Sequence, residues 1–483
     1  MTNSNSQEQT IYRDLATQIQ IGFFDDAEPF PSVMEIAQLY DVSYCPAQRA
    51  LKMLEQAGLI KINRKKSSDI ISKPYPDYLK SDIFRERMTA LKDLNKTLEL
   101  ISPALCFYSF SHLDDSLVEA AAPGRKNTYY VKRLYDSFFQ SIRASGSQAL
   151  LSLFYDILSF SGSAFLDILQ ALDGEKTTSQ FIQHVLSGFQ QCMQEYRDGN
   201  LRLSKQHLIQ LSLAFHNKID QYFENVLPPS SNTPATPFIW EPNKGRIRYI
   251  DMIATDIICK INQGRYQPGT FLPPYHHLAS TYHVSVSTMR RTIRMLNELG
   301  ILQTLNGRGS MVISSCGTEV LQKPGSFMSD GYFKDFLEIL QMLAAFNDPV
   351  INYTFPYFDS ETLESIRDAA TREDDKEALE AVLSNTLQAV VRHCPLYALQ
   401  EIYGKITLQL LNGSILRFEN AESRHLTGWH EIAQDIVKSC KNRNASQFAC
   451  SFYRLVEVAF MITKQILSAG GITNLENIVL YGP

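Results

Sequence analysis

The chain contains one segment twice, and this repeat limits its fold more than any other sequence feature. Residues 31–72 align with residues 273–314 at a shift of 242 residues, with no gap and with twelve identical pairs, among them Arg49 with Arg291. Most of the other pairs exchange similar side chains. Because the shift is close to half of the 483 residues, the whole chain is predicted to be one unit duplicated.

Within the second copy, the residue pattern predicts three helices followed by a β-hairpin. Apolar residues recur at helical spacing over 250–262, and a short helix is predicted over 275–282. Ser285 stands at a preferred N-cap position for a third helix over about 285–297. Two short alternating segments then flank Asn-Gly at 306–307, which is a strong hairpin signal. Three helices and a hairpin form a winged helix-turn-helix.

The third helix of this copy is predicted to have one apolar and one basic face. The inward positions, spaced i, i+4 and i+7, are Met289, Ile293 and Leu296. The outward positions are Ser287, Arg290, Arg291 and Arg294. A basic face on an isolated helix is most often simply solvated, but here helix, turn and wing coincide. We therefore predict that the third helix enters the major groove of double-stranded DNA, where arginines bind guanine edges or phosphates.

Local charge agrees with binding to DNA. Residues 244–314 hold nine basic and three acidic residues, a net charge of +6, whereas the whole chain has a formal net charge of −5. A positive module on a negative body is typical of a DNA-binding domain. With 44% hydrophobic and 20% charged residues, the composition is that of a globular protein and excludes global disorder.

The second copy resembles the GntR family of bacterial transcription regulators. The matching stretches are Tyr249-Ile250, Tyr266-Gln267-Pro268-Gly269, Leu272-Pro273, Leu278-Ala279, Val284-Ser285 with Thr288 and Arg290, Leu296 with Gly300, and Asn306 to Ser310. The resemblance implies that Thr288 and Arg290 contact DNA from the recognition helix. It also implies that Arg308, with its flanking glycines, reaches the minor groove from the wing.

Two departures from the family pattern lie in the reading region. Val286 stands where the family often has Arg, and Pro274-Tyr275-His276 stands where it often has Ser-Glu-Arg. The operator sequence therefore cannot be taken from relatives. The DNA-binding positions predicted in this copy are Arg246, His276, Ser285, Ser287, Thr288, Arg290, Arg291, Arg294, Gly307, Arg308 and Gly309.

The first copy keeps the pattern in weaker form. Its wing at 64–67 reads Arg-Lys-Lys-Ser, so it retains positive charge but has no glycines. Gln48 replaces Arg290, and residues 11–73 carry eight basic and eight acidic residues, a net charge of zero. The DNA-binding positions predicted here are Ser43, Tyr44, Gln48, Arg49, Lys52, Arg64, Lys65 and Lys66. The alternative is a degenerate copy that serves packing, protein interaction or non-specific DNA contact.

The predicted fold class is mainly α, with two winged helix-turn-helix domains each followed by an all-helical domain. Five prolines within 228–242 favour extended backbone and separate the two halves. The predicted domains are residues 1–73 (first winged helix), 74–227 (helical domain), 228–243 (linker), 244–314 (second winged helix) and 315–483 (second helical domain). Helices are predicted over 83–101, 130–142, 150–158, 181–196, 203–222, 332–346, 361–370, 376–391, 396–411, 429–441 and 445–467.

The helical regions resemble the effector domains of the FadR-type branch of the same family, on His430-Glu431-Ile432-Ala433, Ile436-Val437 and the turn at 442–445. The resemblance implies a small-molecule effector. That branch binds metal through one Asp and three His, but the matching positions read Ala381 to Asn385, Tyr135 to Phe139, and Phe452, which leaves only His430 and His184 as isolated candidates. We therefore expect no metal and no cofactor. The aromatic residues are expected mainly to pack between helices, although some of them could line an apolar effector cavity; they include Phe107, Tyr108, Phe110, Phe138, Phe139, Phe154, Tyr155, Tyr353, Phe355, Tyr357 and Phe358.

The function expected from the sequence is that of a sequence-specific transcription regulator, with the two winged helices of one chain acting as a pseudo-dimer. The expected partners are double-stranded DNA, a small-molecule effector and a second copy of the chain, without a membrane. An enzyme fused to a DNA-binding domain is disfavoured, because the second winged helix leaves no long uninterrupted α/β body and no catalytic motif is present. The eight cysteines form no CxxC pair, which favours a reduced, cytoplasmic protein.

Overall fold

The computed structural model is mostly helical and divides into two compact units. One unit comprises residues 1–246 with 394–402, and the other comprises 247–393 with 403–483. The structure describes residues 7–20, 24, 30–40, 42–63, 68–71, 78–110, 133, 142, 147–161, 164–226, 235–242, 249–262, 265–298, 301–313, 330–412, 428–469, 475–476 and 478–480. The predicted helix over 130–142, the glycine stop at Gly300 and most of the linker lie outside these residues.

Both copies of the repeat fold as a winged helix-turn-helix, with the same element boundaries. The first copy has α1 (Gln7–Gln20), α2 (Val33–Leu39), α3 (Tyr44–Gln56), β1 (Ile60–Lys61) and β2 (Asp69–Ile70). Three long or bent helices follow it, and α8 (Tyr249–Asn262), α9 (Tyr275–Thr281), α10 (Val286–Glu298), β3 (Leu302–Leu305) and β4 (Gly309–Val312) then form the second copy. A shift of 242 residues maps both ends of all three helices of the first copy onto those of the second. The prediction of a duplicated winged helix is thereby confirmed.

The hairpins also have the same register. β1 pairs antiparallel with β2, with Ile60 opposite Ile70, and β3 pairs antiparallel with β4, with Leu302 opposite Val312. In the second copy, residues 269–272 lie beside β4 and make backbone hydrogen bonds from Gly269 N to Val312 O and from Leu272 N to Ser310 O. This extra pairing fixes the base of the wing.

Each winged helix holds its first helix against its second through a buried acid and a tyrosine. In the second copy, the Tyr282 hydroxyl donates to Asp256 Oδ2 at 2.5 Å, and Lys260 Nζ lies 2.6 Å from the same carboxylate. In the first copy, Tyr40 donates to Asp14, and Gln18 Nε2 donates to Asp14 Oδ2 at 3.0 Å. Burial and the hydrogen bond to Asp256 raise the pKa of Tyr282, so this hydroxyl stays protonated and acts as a donor.

The first helical region contains four helices of uneven length. They are α4 (Asp82–Phe110), α5 (Gln148–Ser161), α6 (Ala164–Arg197) and α7 (Leu201–Asn225). The predicted helix over 83–101 is thus nine residues longer at its C-terminal end than expected, with Pro103 inside it. α6 is interrupted at Gly174, where φ is 76°. The predicted helix over 181–196 is the part of α6 that follows this break.

The second helical region contains six helices. They are α11 (Asp330–Thr354), α12 (Ser360–Ala370), α13 (Asp375–His393), α14 (Tyr397–Asn412), α15 (Trp429–Lys441) and α16 (Ala445–Ala469). All six were predicted, and α15 begins and ends at the predicted residues. Trp429, Phe448 and Phe452 are fully or almost fully buried in this region.

The duplication extends into the helical regions at a shift of 244 residues. α4 and α11 end at Phe110 and Thr354, and α7 and α16 are both 25 residues long. The turn before each of these last helices has positive φ at equivalent positions, 81° at Gly199 and 47° at Arg443. The backbone bond from Asn200 N to Glu195 O has its counterpart from Asn444 N to Ser439 O. Equivalent helices and turns therefore define a residue-by-residue alignment of the two helical regions.

Residues 394–402 follow α13 in the chain but cluster with the first unit. Asp93 on α4 accepts hydrogen bonds from the backbone N–H groups of Tyr397 at 2.9 Å and Ala398 at 2.7 Å. A carboxylate at a helix N-terminus satisfies amides that have no partner within the helix and interacts favourably with the helix dipole. Asp93 therefore caps the first turn of α14.

No single helix among the ranges given above is long and apolar enough to cross a membrane. α5 and α6 reach the required length and mean hydropathy only as a pair, and they are bent by 50° relative to each other.

Candidate nucleic-acid interface

The recognition helix α10 of the second copy begins with a side-chain cap. The Ser285 hydroxyl accepts a hydrogen bond from the backbone N–H of Thr288 at 3.1 Å and lies 2.8 Å from the hydroxyl oxygens of both Ser287 and Thr288. The N-cap predicted at Ser285 is therefore present. Since three hydroxyl-bearing residues converge here, the exposed start of the helix presents short hydrogen-bonding groups.

The two faces of α10 are those that the sequence predicts. Its buried residues are Met289, Ile293 and Leu296, each no more than 1% exposed. Its exposed residues include Ser287, Arg290, Arg291 and Arg294, while Thr288 is half-buried. Burial of the apolar row against the rest of the winged helix leaves the three arginines as a row on the outer face, which we call the arginine row.

The arginine row has no acidic partner in the part of the chain that the structure describes. The ion pair found in this winged helix joins Lys260 to Asp256, away from α10. An arginine without a carboxylate partner keeps all its guanidinium donors available for a ligand. The arginine row can therefore bind phosphates or guanine edges without first breaking an internal ion pair.

The wing of the second copy is a tight hairpin that exposes a fourth arginine. Gly307 has φ of 78° and Gly309 has φ of 113°, values that side-chain-bearing residues rarely adopt. Arg308 lies between them and is exposed. The two glycines let the chain reverse over three residues, so Arg308 projects from the hairpin tip, as the family resemblance implies.

A polar chain that the sequence analysis missed connects this wing to the recognition helix. Asn297 Nδ2 on α10 donates to Thr304 Oγ1 at 2.7 Å, Thr304 Oγ1 lies 2.9 Å from Ser310 Oγ, and Ser310 Oγ lies 3.1 Å from the Tyr275 hydroxyl. We call these four residues the wing network. They join α9, α10, β3 and β4, so the hairpin and the recognition helix hold one relative position. Only the conserved chemistry of small polar residues on facing strands hints at them in the sequence.

The first copy presents fewer free bases at the same positions. Gln48, Arg49 and Lys52 are exposed on α3, but Arg49 Nη1 lies 3.3 Å from Glu8 Oε1 on α1. The residue of the second copy that corresponds to Glu8 is Ile250, which cannot form such a pair. Consequently Arg49 is partly neutralised, whereas its counterpart Arg291 is not.

The remaining differences between the copies lie at the helix start and beside the wing. Ser43 stands at the N-cap of α3 but makes no side-chain capping bond, and Tyr44 is exposed. Glu55 on α3 occupies the position of Asn297 and accepts a hydrogen bond from Ile62 N at 2.9 Å. A carboxylate thus replaces a neutral amide next to the wing, which lowers the positive potential of the first copy.

Four predicted positions lie outside the described residues, namely Arg246, Arg64, Lys65 and Lys66. His276 is exposed on α9, and the other predicted positions are on α3, on α10, at the N-caps of these helices or at the tip of the second wing. The structure therefore brings the predicted residues of each copy onto a recognition helix and, in the second copy, a wing.

No group of three or more His, Cys, Asp and Glu side chains is placed to bind a metal ion within the described ranges. His430 is exposed and lies 3.6 Å from Asp375 Oδ1. His216, which the sequence analysis did not single out, is buried in α7 and has its pKa lowered to about 3, chiefly by burial and then by the charge of Lys96. The aromatic residues are divided between core and cavity: Phe107 and Phe110 pack against Tyr196, whereas Phe154 lines a cavity considered below.

Comparison with known proteins assigns these two segments. Residues 7–70 and 250–312 both match the model of the bacterial regulatory proteins, gntR family. Both segments are gntR-type winged helices. The resemblance of the second copy is confirmed, and the same match at the first copy agrees with a tandem duplication.

Two curated relatives match over short stretches. The HTH-type transcriptional regulator TreR of Bacillus subtilis is 33% identical over 88 residues, which are 18% of this chain and 35% of the relative. The uncharacterized HTH-type transcriptional regulator Rv0494 of Mycobacterium tuberculosis is 34% identical over 67 residues, 14% of this chain and 28% of the relative. The chain thus spans about a third of the length of the curated relatives it matches.

Solved structures of the same kind overlay on less than half of the chain. Streptococcus agalactiae GntR is 20% identical, with a TM-score of 0.19, and the match covers 44% of this chain and 99% of that one. E. coli McbR/YncC is 13% identical, with a TM-score of 0.24, and the match covers 45% of this chain and 98% of that one. At these TM-scores the overlays add nothing to the assignment.

Proposed function

We propose that the protein is a sequence-specific transcription regulator that binds double-stranded DNA chiefly through its second winged helix. The observation that carries the proposal is the arginine row of α10, exposed and without a carboxylate partner among the described residues. The wing network supports it, because it fixes Arg308 and the arginine row on one rigid platform. The gntR family match supports the same class of function.

We further propose that one chain supplies both readers of an operator. Regulators of this type commonly place two modules on half-sites about 34–36 Å apart, or multiples of that distance. Because Gln48 stands where the second copy has Arg290, the two half-sites should differ in sequence. The predicted domain boundaries, with a linker at 228–243, belong to this proposal. Association of two chains would present four modules, and the proposal names it as the second arrangement.

A second role is favoured for the first copy by its charge. Its net charge is zero, and Arg49 is paired with Glu8. These features suit a module that contacts DNA without reading bases, or that contacts another protein. Under this alternative, only one sequence motif would be selected, and it would belong to the second copy.

We also propose that a small molecule regulates DNA binding through the helical regions and that the protein acts in the cytoplasm, where DNA is accessible to a bacterial regulator. The support is the large share of the chain in helical regions that are not themselves winged helices. The family likeness of the winged helices is silent on this point.

In vitro selection of duplex DNA with the full chain tests the proposed function. We expect an enriched motif that binds about 10³-fold or more tighter than random duplex at physiological salt. Two unlike half-sites would support the pseudo-dimer, and one half-site would support the second role of the first copy. Failure to enrich any motif, or enrichment that persists when Arg290 and Arg291 are both replaced by Ala, would contradict the proposal.

A further inference from the structure

The first helical region encloses a cavity of about 210 Å³. It lies between α4, α5, α6 and α7, and its wall also includes Ile142. Apolar side chains such as Leu98, Leu153, Phe189 and Leu208 form most of the wall, and no Asp, Glu, Lys or Arg is among the described residues that line it. Native cores are normally packed without voids of this size. A space that large between helices therefore calls for an occupant.

The polar groups of the cavity are mainly hydrogen-bond acceptors. The hydroxyls of Ser109, Ser161 and Ser212 donate their protons to backbone carbonyls of Cys106, Ile157 and Glu99 at 2.7, 2.8 and 3.2 Å. Their oxygens keep lone pairs but have no proton to spare. An occupant that offers a hydroxyl or N–H group would suit such a wall.

His216 adds one more acceptor, and its tautomer follows from its neighbour. Asn95 Nδ2 donates to His216 O at 3.0 Å and to Asp220 Oδ1 at 2.8 Å, so Asn95 Oδ1 must accept from His216 Nδ1–H, 2.7 Å away. The pKa of His216 is lowered to about 3, so the ring is neutral near pH 7 and Nε2 carries a lone pair. The cavity wall therefore bears no charge from this residue.

The second helical region fills the same positions with larger side chains. At the shift of 244 residues, Ser102 corresponds to Phe346, Leu208 to Phe452 and His216 to Phe460. All three phenylalanines are no more than 1% exposed. The space exists in the first region because small or polar residues stand where aromatic rings pack in the second. This contrast makes the cavity a specific property of the first region rather than of the shared architecture.

We propose that this cavity is a binding site for a neutral, mainly hydrocarbon molecule of one or two rings that carries a hydroxyl or N–H donor. An apolar cavity of about 150 Å³ holds benzene, so 210 Å³ suffices for a substituted ring. A carboxylate or ammonium group is excluded, because its charge would be buried without a partner. Binding at this site does not depend on the proposed reading of DNA, and it assigns a ligand class that the family likeness does not.

Three matched probes test this site by calorimetry on the full chain: p-cresol, 4-methylanisole and 4-methylbenzoate. They share the methyl-bearing ring and differ in having a donor, no donor and a charge. We expect p-cresol to bind one per chain with a Kd tighter than about 1 mM. We expect 4-methylanisole to bind several-fold more weakly and 4-methylbenzoate at least about ten-fold more weakly.

Filling the cavity supplies the second arm of the test. Ser102→Phe introduces the ring that Phe346 provides in the other region and should abolish p-cresol binding; Ser102→Leu should weaken it, in case the larger side chain prevents folding. Ile209→Phe, on the exposed face of α7, is the matched control and should leave binding unchanged. No binding of p-cresol to the folded protein, equal binding of 4-methylbenzoate, or binding unchanged in both folded Ser102 variants overturns the proposal. Selection of a DNA motif by the same preparation distinguishes that failure from failure of the regulator assignment.

Discussion

The two winged helices share a backbone and differ in the charges that surround it. Both ends of each helix correspond at a shift of 242 residues, and both hairpins pair in the same register. Yet the second copy has an unpaired arginine row, whereas the first has Gln48, a paired Arg49 and a carboxylate at Glu55. The comparison teaches that packing positions and reading positions are independent in this fold. Duplication preserved the first set while the second set diverged.

The helical regions differ in the opposite sense. The first region, which follows the weaker reader, contains the cavity, and the second region, which follows the stronger reader, packs Phe346, Phe452 and Phe460 into the same positions. If both proposals hold, the halves of the chain divide the work, one sensing and one reading. Each prediction below changes one side of this comparison.

The largest effect is expected from removing two members of the arginine row. Arg290→Ala with Arg291→Ala should weaken binding to a selected operator about 100-fold, since each base or phosphate contact contributes on the order of 1–3 kcal/mol. The log–log salt slope should flatten by roughly 1.8 if both contact phosphates. Fluorescence anisotropy at several salt concentrations measures both. Arg49→Ala with Lys52→Ala, the matching change in the first copy, should have a smaller effect, and equal losses would contradict the asymmetry between the readers.

Acid should destabilise the first unit through His216. Burial lowers its pKa to about 3, against about 6.5 in an unfolded chain, so the unfolded state takes up a proton first as the pH falls. Stability is therefore complete above pH 6.5 and is lost toward pH 3, by up to about 1.4 kcal/mol per pH unit.

Urea unfolding followed by the fluorescence of Trp240, in a Trp429→Phe background, measures this pH dependence in the first unit. His216→Phe, which copies Phe460, is the control and should have a smaller slope between pH 6.5 and 5. Identical slopes in the two proteins would show that His216 does not carry the effect.

Removing the N-cap hydroxyl should cost stability in one copy more than in the other. Ser285→Ala loses the bond from Thr288 N and should destabilise the second winged helix by about 1 kcal/mol. Ser43→Ala should cost less, because Ser43 makes no side-chain capping bond. Hydrogen exchange of the amides in α3 and α10 compares the two variants within the same chain. A larger loss of protection in α3 would reverse the assignment of the caps.

The smallest effect is expected from releasing Arg49. Glu8→Gln removes its ion-pair partner, and exposed pairs of this kind contribute at most about 1 kcal/mol. We expect a gain of up to a few-fold in DNA affinity if the first copy contacts DNA. No change at low salt would favour the alternative in which the first copy serves another contact. Ile250→Glu, which creates the counterpart acid beside Arg291, should reduce affinity by a similar factor.

Local features of this protein could be predicted because short-range physics determines them. The spacing of Met289, Ile293 and Leu296 identified the buried face of α10, Ser285 identified its N-cap, and Asn306-Gly307 identified the hairpin. Each of these signals depends on residues a few positions apart, for which helical periodicity, capping and turn geometry have strong preferences. The same reasoning located the helices of both helical regions, but it underestimated the length of α4, because its continuation past Ile101 depends on packing and not on a local start or stop signal.

The sequence by itself determined the duplication, the winged helices and the exposed arginines. Only the tertiary structure decided that Glu8 pairs with Arg49, that Asn297 reaches Thr304 and Ser310, that Asp93 caps α14, and that small residues on four helices leave a cavity. The physical reason is the same in each case. These features join side chains that are distant in the sequence, and their energies depend on distances, burial and the space left by neighbours, none of which is encoded in the periodicity of a single segment.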